Sequence, residues 1–150
     1  MKSYYYLLDK LRTELASSPF TNTISTGNLD DIDNYKQSIF PLAHIIVNNC
    51  TPEANILRFN VSIIAMDIVN ISKDETIDKF IGNDNEHDVL NTQLNVLIRL
   101  YEVLLRGELS DSIEVSGNPT CEPFTERFTN YLSGWTMTLD ILMPNEMTIC

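Results

Sequence analysis

The segment from Glu86 to Arg106 constrains the fold most, because its apolar residues recur at the spacing of an α-helix along its whole length. Asp88 lies in its first turn, where an acidic side chain interacts favourably with the positive end of the helix dipole, and Gly107 follows its last residue as a helix cap. We therefore predict one long helix here. Its main apolar stripe consists of Leu90, Leu94, Leu97, Ile98, Tyr101, Leu104 and Leu105.

The same helix has a second apolar line, formed by Val89, Val96, Leu100 and Val103. A helix on the surface of a monomer normally has polar residues on that side. Apolar residues over so wide an arc predict either burial between two layers or contact with a neighbouring subunit. Both interpretations stay open from the sequence.

Most of the remaining chain alternates apolar and polar residues, which is the pattern of half-buried β-strands. One further helix is predicted over Ser3–Ala16, and turns are predicted at residues 48–53 and 116–119. The predicted strands are residues 20–25, 38–48, 55–71, 113–115, 124–132 and 135–143. This order predicts an α+β fold in which a mostly antiparallel β-sheet is packed by one long central helix and an N-terminal helix. A length of 150 residues fits a single domain, residues 1–150.

The strand predicted over residues 55–71 changes phase at Ile63 and Ile64. Its apolar positions are first Leu57, Phe59, Val61 and Ile63, and then Ile64, Met66 and Ile68. Successive side chains of a strand point to opposite faces of the sheet. The change of phase therefore predicts either a β-bulge near Ile63 and Ile64 or an opposite face that passes from solvent into contact.

The charge balance excludes one class of function. The chain has 21 acidic and 10 basic residues, a net charge of -11, whereas nucleic-acid binding requires clustered lysine and arginine. The three cysteines, Cys50, Cys121 and Cys150, lack the spacing of zinc or redox sites, so we expect reduced thiols in an intracellular compartment. We predict neither a signal peptide nor a membrane span, because no apolar run approaches the ~20 residues that a span needs.

No motif of an enzyme is present in the sequence. His44 and His87 have no serine, cysteine or histidine at a recognised catalytic spacing, and the five glycines are isolated from one another. The acidic loops around Asp31 and Asp33 have half of the spacing of a calcium loop, but no closing glutamate follows. A solvated turn, a calcium-binding module and a small hydrolase whose carboxylates meet only in space remain open alternatives.

Several short segments together resemble one family. They are Phe20-Thr21-Asn22-Thr23-Ile24-Ser25-Thr26-Gly27, Asp30-Asp31-Ile32-Asp33, Phe40-Pro41-Leu42-Ala43-His44, Ala65-Met66-Asp67-Ile68-Val69, Asn85-Glu86-His87-Asp88-Val89-Leu90-Asn91, and Phe124-Thr125-Glu126-Arg127-Phe128-Thr129-Asn130 running into Gly134-Trp135. With these segments, which extend over nearly the whole chain, the sequence resembles the tail-terminator-like or neck ring proteins of tailed bacteriophages, including those of crAss-like phages.

The resemblance implies a structural protein of the virion, located in the head-tail connector or tail and assembled in the host cytoplasm. It implies a ring of identical subunits, six-fold or twelve-fold, coaxial with the portal and in contact with the portal or adaptor and other neck proteins. Genomic DNA would pass through this ring without sequence-specific binding. The resemblance implies no cofactor, no catalytic residue and no membrane.

A closed ring needs two different adhesive surfaces on each subunit. The candidate subunit interface consists of Met66, Ile68, Val96, Leu100 and Val103. The alternative is that the N-terminal helix covers both groups within one chain. The candidate acidic loops facing the channel or an adjoining ring contain Asp30, Asp31, Asp33, Asp84 and Glu86.

Overall fold

The computed structural model describes residues 3–27, 40–69, 86–106, 113–127 and 132–145. Its elements are α1 (Ser3–Ala16), β1 (Thr23–Thr26), β2 (Leu42–Glu53), β3 (Ile56–Ile68), α2 (Glu86–Arg106), β4 (Glu114–Arg127) and β5 (Leu132–Pro144). The described strands form one sheet in the order β1-β2-β3-β5-β4, in which β1 and β2 pair in parallel and the other neighbours pair antiparallel. The predicted α+β fold, with a mostly antiparallel sheet and two helices, is confirmed.

Both predicted turns are wrong. The hairpin between β2 and β3 turns at Ala54 and Asn55, beyond residues 48–53, and Asn55 adopts a left-handed φ of 63°. Residues 116–119 lie inside β4, where the pairing with β5 shifts between Ser116 and Thr120. Gly117, with φ of 72°, allows this local irregularity, so the glycine and proline there interrupt the pairing without ending the strand.

The main core lies between one face of the sheet and both helices. A single cluster of buried residues joins the apolar face of α1, the buried face of α2 and the inward residues of all the antiparallel strands. Its largest members include Leu7, Leu11, Leu15, Ile45, Phe59, Ile63, Leu97, Leu100, Leu104, Ile113 and Ile141. Burial of each such side chain contributes about 1.5–3 kcal/mol to folding, and this holds the helices on the sheet.

The structure reverses part of the prediction for α2. The residues that it buries are Val89, Gln93, Val96, Leu97, Leu100 and Leu104. The second apolar line therefore faces the sheet, whereas Ile98 and Leu105 of the predicted main stripe remain exposed. Val96 and Leu100 are fully buried within the chain, so their prediction as subunit contacts is wrong. Val103 is half-buried against the same core, and for it the subunit contact stays a prediction.

The change of phase in β3 comes from a second core on the opposite face of the sheet. β3 pairs with β5 without a register shift from Ile56 to Ile68, so the predicted bulge is absent there. The second cluster of buried residues is formed by Phe40, Leu42, Ile64, Met66 and Leu132. Met66 is fully buried in it, which makes its prediction as a subunit contact wrong as well, while Ile68 is half-buried at its border and stays a prediction.

Two polar contacts fix α2 in the helix layer. Arg99 donates from Nη1 to the carbonyl oxygen of Glu14 at 2.8 Å and from Nη2 to Oγ of Ser17 at 2.8 Å. Trp135 on β5 donates from Nε1 to the carbonyl oxygen of Leu90 at 2.8 Å. The first contact ties one flank of α2 to the C-terminal end of α1, and the second ties the helix to the sheet. Together they define which flank of α2 has no helix beside it among the described residues.

Candidate assembly surfaces

The flank of α2 that faces away from α1 is apolar. Successive residues of a helix are rotated by about 100°, so Ile98 and Leu105, seven residues apart, lie on one line. Leu94 and Tyr101 lie beside this line and are half-buried, whereas Ile98 and Leu105 are 44% and 39% exposed. Arg99, which contacts α1, lies on the other side of the helix. We call Leu94, Ile98, Tyr101 and Leu105 the α2 flank.

A second group of exposed apolar side chains lies at the other end of the sheet. Tyr5 is 73% exposed, and its ring meets that of Tyr4 edge to face, with 6.0 Å between the ring centroids. Phe20 is also exposed, in the segment that joins α1 to β1, but it follows the opposite end of α1. We call Tyr4 and Tyr5 the α1 surface.

The two surfaces belong to opposite edges of the same layer. α1 contacts β1, which is one edge strand of the described sheet, while α2 packs on β3, β5 and β4, of which β4 is the other edge strand. One surface is mainly aliphatic and the other is aromatic. Large apolar side chains that are exposed close to one another are candidates for contact with another protein surface. The structure therefore provides two different candidate contact surfaces, neither of which contains the residues proposed from the sequence.

A buried polar contact holds the edge strand β1 in place. The side chain of His44 on β2 is fully buried, with Nε2 at 3.0 Å from the carbonyl oxygen of Gly27 and Nδ1 at 2.7 Å from Oγ of Ser25. Because a carbonyl can only accept, Nε2 carries the proton and the Ser25 hydroxyl donates to Nδ1. Burial lowers the pKa of His44, and the hydrogen bond to Gly27 opposes this only in part. A fully buried imidazole is inaccessible to a substrate, so we interpret this contact as structural: it holds β1 against β2.

The pairing of Ser25 with His44 was not predicted from the sequence. The two residues are 19 positions apart, and only the parallel register of β1 with β2 places Ser25 opposite His44. The only signal of this pairing in the sequence was one polar residue within each of two short β-rich segments. It becomes informative only after the strand pairing is known.

The exposed part of the opposite sheet face carries a network of polar side chains. Asn48 donates from Nδ2 to Asn60 and to Ser62, each at 2.8 Å, and Asn60 donates to Asp140 at 2.8 Å. Asn48 occupies the position where the β2–β3 register shifts. Arg58 extends the network to Glu53 at 2.7 Å. This network joins polar side chains of β2, β3 and β5 to one another across the face.

The acidic loops predicted from the sequence fall almost wholly outside the described residues. Asp30, Asp31, Asp33 and Asp84 lie there, and Glu86 is the half-buried first residue of α2. Within the ranges that the structure describes, no group of three or more His, Cys, Asp or Glu side chains could hold a metal ion. Orientation of the acidic loops toward a channel therefore stays a prediction.

The described cysteines are free thiols. Cys50 is exposed and Cys121 is half-buried, and burial raises the pKa of the Cys121 thiol. Cys150 lies outside the described residues. Neither α1 nor α2, the helices in the described part of the chain, is long and apolar enough to cross a membrane.

The α2 flank and the α1 surface are thus the features of this structure with the clearest capacity for a function. They offer exposed apolar area on two different edges of one layer. Comparison with known proteins found no protein-family model and no curated protein that matches the chain.

Proposed function

We propose that this chain is a structural protein of a bacteriophage virion and that identical copies form a closed ring in the head-tail connector or tail. The observation that carries the proposal is the presence of two different exposed apolar surfaces at opposite edges of the helix-and-sheet layer. The resemblance of the sequence to neck ring proteins supplies the biological setting.

Ring closure has a specific geometric requirement. A two-fold dimer uses the same patch on both subunits, whereas a ring joins one surface of each subunit to a different surface of the next. The α2 flank, with the aliphatic residues Ile98 and Leu105, differs in chemistry from the α1 surface, with the aromatic residues Tyr4 and Tyr5. Association of unlike surfaces at opposite edges favours a head-to-tail arrangement over a symmetric dimer.

The charge of the chain suits a ring through which DNA passes. A net charge of -11 repels the phosphate backbone, and repulsion across a confined channel keeps the duplex from adhering to the wall. In this proposal some of Asp30, Asp31, Asp33, Asp84 and Glu86 face the channel or a basic surface of an adjoining ring. The portal or adaptor and other neck proteins are the partners, and the ring needs neither cofactor nor catalytic residue.

The test is the state of assembly of the purified protein. Analytical ultracentrifugation over a wide range of concentrations, with negative-stain electron microscopy, should find a discrete closed species of six or twelve subunits. Ile98→Asp places a charge on the α2 flank and should shift the protein toward monomer with an unchanged circular dichroism spectrum. Ala54→Asp, which introduces the same charge at the exposed tip of the β2–β3 hairpin, is the matched control and should assemble normally.

A wild-type chain that sediments as a monomer at every concentration contradicts the proposal. An Ile98→Asp variant that folds and assembles like the wild type also contradicts the proposal, because the α2 flank would then have no role in assembly. A filter-binding measurement with duplex DNA adds an independent check, and tight retention of DNA by the assembled species would contradict the account of the channel.

A further inference from the structure

We propose that the α2 flank of one copy is covered by α1 of the next copy, with Tyr5, Leu8 and Arg12 packed on Ile98 and Leu105 and with Arg12 paired to Glu102. This contact rests on the proposed function, since it joins the α2 flank to Tyr5 of the α1 surface and to the neighbouring residues Leu8 and Arg12 when the ring closes. The occupant of the α2 flank is thus a second copy of this chain.

The outward line on α1 follows from its buried face. Leu7, Leu11 and Leu15 are buried, and Glu14 lies toward α2, where its backbone carbonyl accepts from Arg99. With about 100° between successive residues, Tyr5, Leu8 and Arg12 fall on the flank of α1 that faces away from α2. Tyr5 and Arg12 are exposed and Leu8 is half-buried. We call Tyr5, Leu8 and Arg12 the α1 line, and this line borders the outer edge of the helix layer.

The two lines have matching lengths. Tyr5 and Arg12 are seven residues apart, as are Ile98 and Leu105, and seven residues of helix correspond to about 10 Å. α1, with 14 residues, is about 21 Å long, and α2, with 21 residues, is about 31 Å long. One α1 helix is thus long enough to cover the whole α2 flank from Leu94 to Leu105.

One pair of opposite charges, Arg12 on α1 and Glu102 on α2, lies along the two lines. Arg12 is exposed and has no ion pair among the described residues. Glu102 lies one turn after Ile98, at the solvent border of the α2 flank, and pairs with Arg106 across 3.3 Å on the same helix. An exposed pair of this kind contributes little to stability, so Glu102 can exchange it for Arg12 of the next copy at small cost. One cation on the α1 line then meets one anion on the α2 line.

The layer geometry brings these lines together. α1 and α2 lie side by side on one face of the sheet, with the α1 line at one outer edge of the pair and the α2 flank at the other. A neighbouring copy placed edge to edge continues the helix layer, so its α1 arrives beside the α2 flank. Burial of Ile98 and Leu105 in this contact removes apolar surface from water, and the Arg12–Glu102 pair fixes which edge meets which.

A charge-exchange series tests the contact. Arg12→Glu and Glu102→Arg each place like charges across the interface, and each should raise the dissociation constant between subunits by about tenfold or more. The double variant Arg12→Glu/Glu102→Arg restores an opposite pair and should return the dissociation constant to within about threefold of the wild type. Ultracentrifugation gives the constants, and thermal unfolding verifies that each variant is folded.

Two controls separate this contact from other effects. Arg106→Ala removes only the pair within α2 and should leave assembly unchanged. Ala54→Glu changes charge at the distant hairpin tip and should also assemble like the wild type. If the wild type forms rings but the dissociation constant of the double variant is raised by the product of the two single-variant effects, this contact is overturned while the proposed function stands. A wild type that never assembles overturns both.

Discussion

The matched pair Leu100→Ala and Leu105→Ala tests the orientation of α2 most directly. Both variants remove the same atoms from the same helix, but Leu100 is 1% exposed in the core and Leu105 is 39% exposed on the α2 flank. Truncation of a buried leucine costs about 2–5 kcal/mol, because the lost apolar transfer energy adds to the cost of the cavity. Truncation of a leucine that is exposed to this extent should cost less than about 1 kcal/mol.

Urea unfolding, followed by far-ultraviolet circular dichroism, measures the difference. With a denaturant dependence of about 2 kcal/mol per M, Leu100→Ala should lower the unfolding midpoint by about 1–2.5 M, and Leu105→Ala should lower it by less than about 0.5 M. The proposed association would also contribute to apparent stability, so the midpoints are taken at several protein concentrations and compared at the lowest. Equal losses for the two variants, or a larger loss for Leu105→Ala, would refute the orientation of α2 and with it the identity of the α2 flank.

The remaining predictions concern the sheet. Because burial lowers the pKa of His44 below its ordinary value of 6.5, the unfolded chain binds this proton more readily than the folded chain. The free energy of unfolding should therefore decrease as the pH falls below about 6.5 toward the pKa of His44 in the folded chain. The difference between the urea midpoints at pH 7.5 and 5.5 should be smaller in His44→Gln than in the wild type. An equal difference between the two midpoints in His44→Gln and in the wild type would show that His44 is not the source of this pH dependence. Gly134→Ala should destabilise the fold by about 3 kcal/mol or more, since a Cβ there collides with the backbone of Ala65 and Met66. Thr138→Ala on the same strand should cause only a small loss of stability in the same urea unfolding measurement.

The arrangement of elements was predictable because it depends on local periodicity. The period of the apolar residues in Glu86–Arg106 predicts the helix whatever it packs against, and the alternation in β3 and β5 predicts strands in the same way. The boundaries near Asn55 and Gly117 were not predictable to the same extent. Both involve left-handed backbone at asparagine or glycine, and whether such a residue ends a strand or only interrupts its pairing depends on the neighbouring strand.

The exposed apolar surface on α2 was not predictable because periodicity leaves the rotation of a broadly apolar helix undetermined. On α2 the apolar arc includes both Leu100 and Ile98, and either edge of the arc could face the sheet. The choice is made by contacts that are distant in sequence: Arg99 binds the end of α1, 85 residues away from its acceptor Glu14, and Trp135 binds the backbone at Leu90, 45 residues away. Because these contacts turn Leu100 inward, they also leave Ile98 exposed at the edge of the layer. The same polar contacts that complete the core thus determine which apolar residues of α2 remain exposed at the edge of the layer.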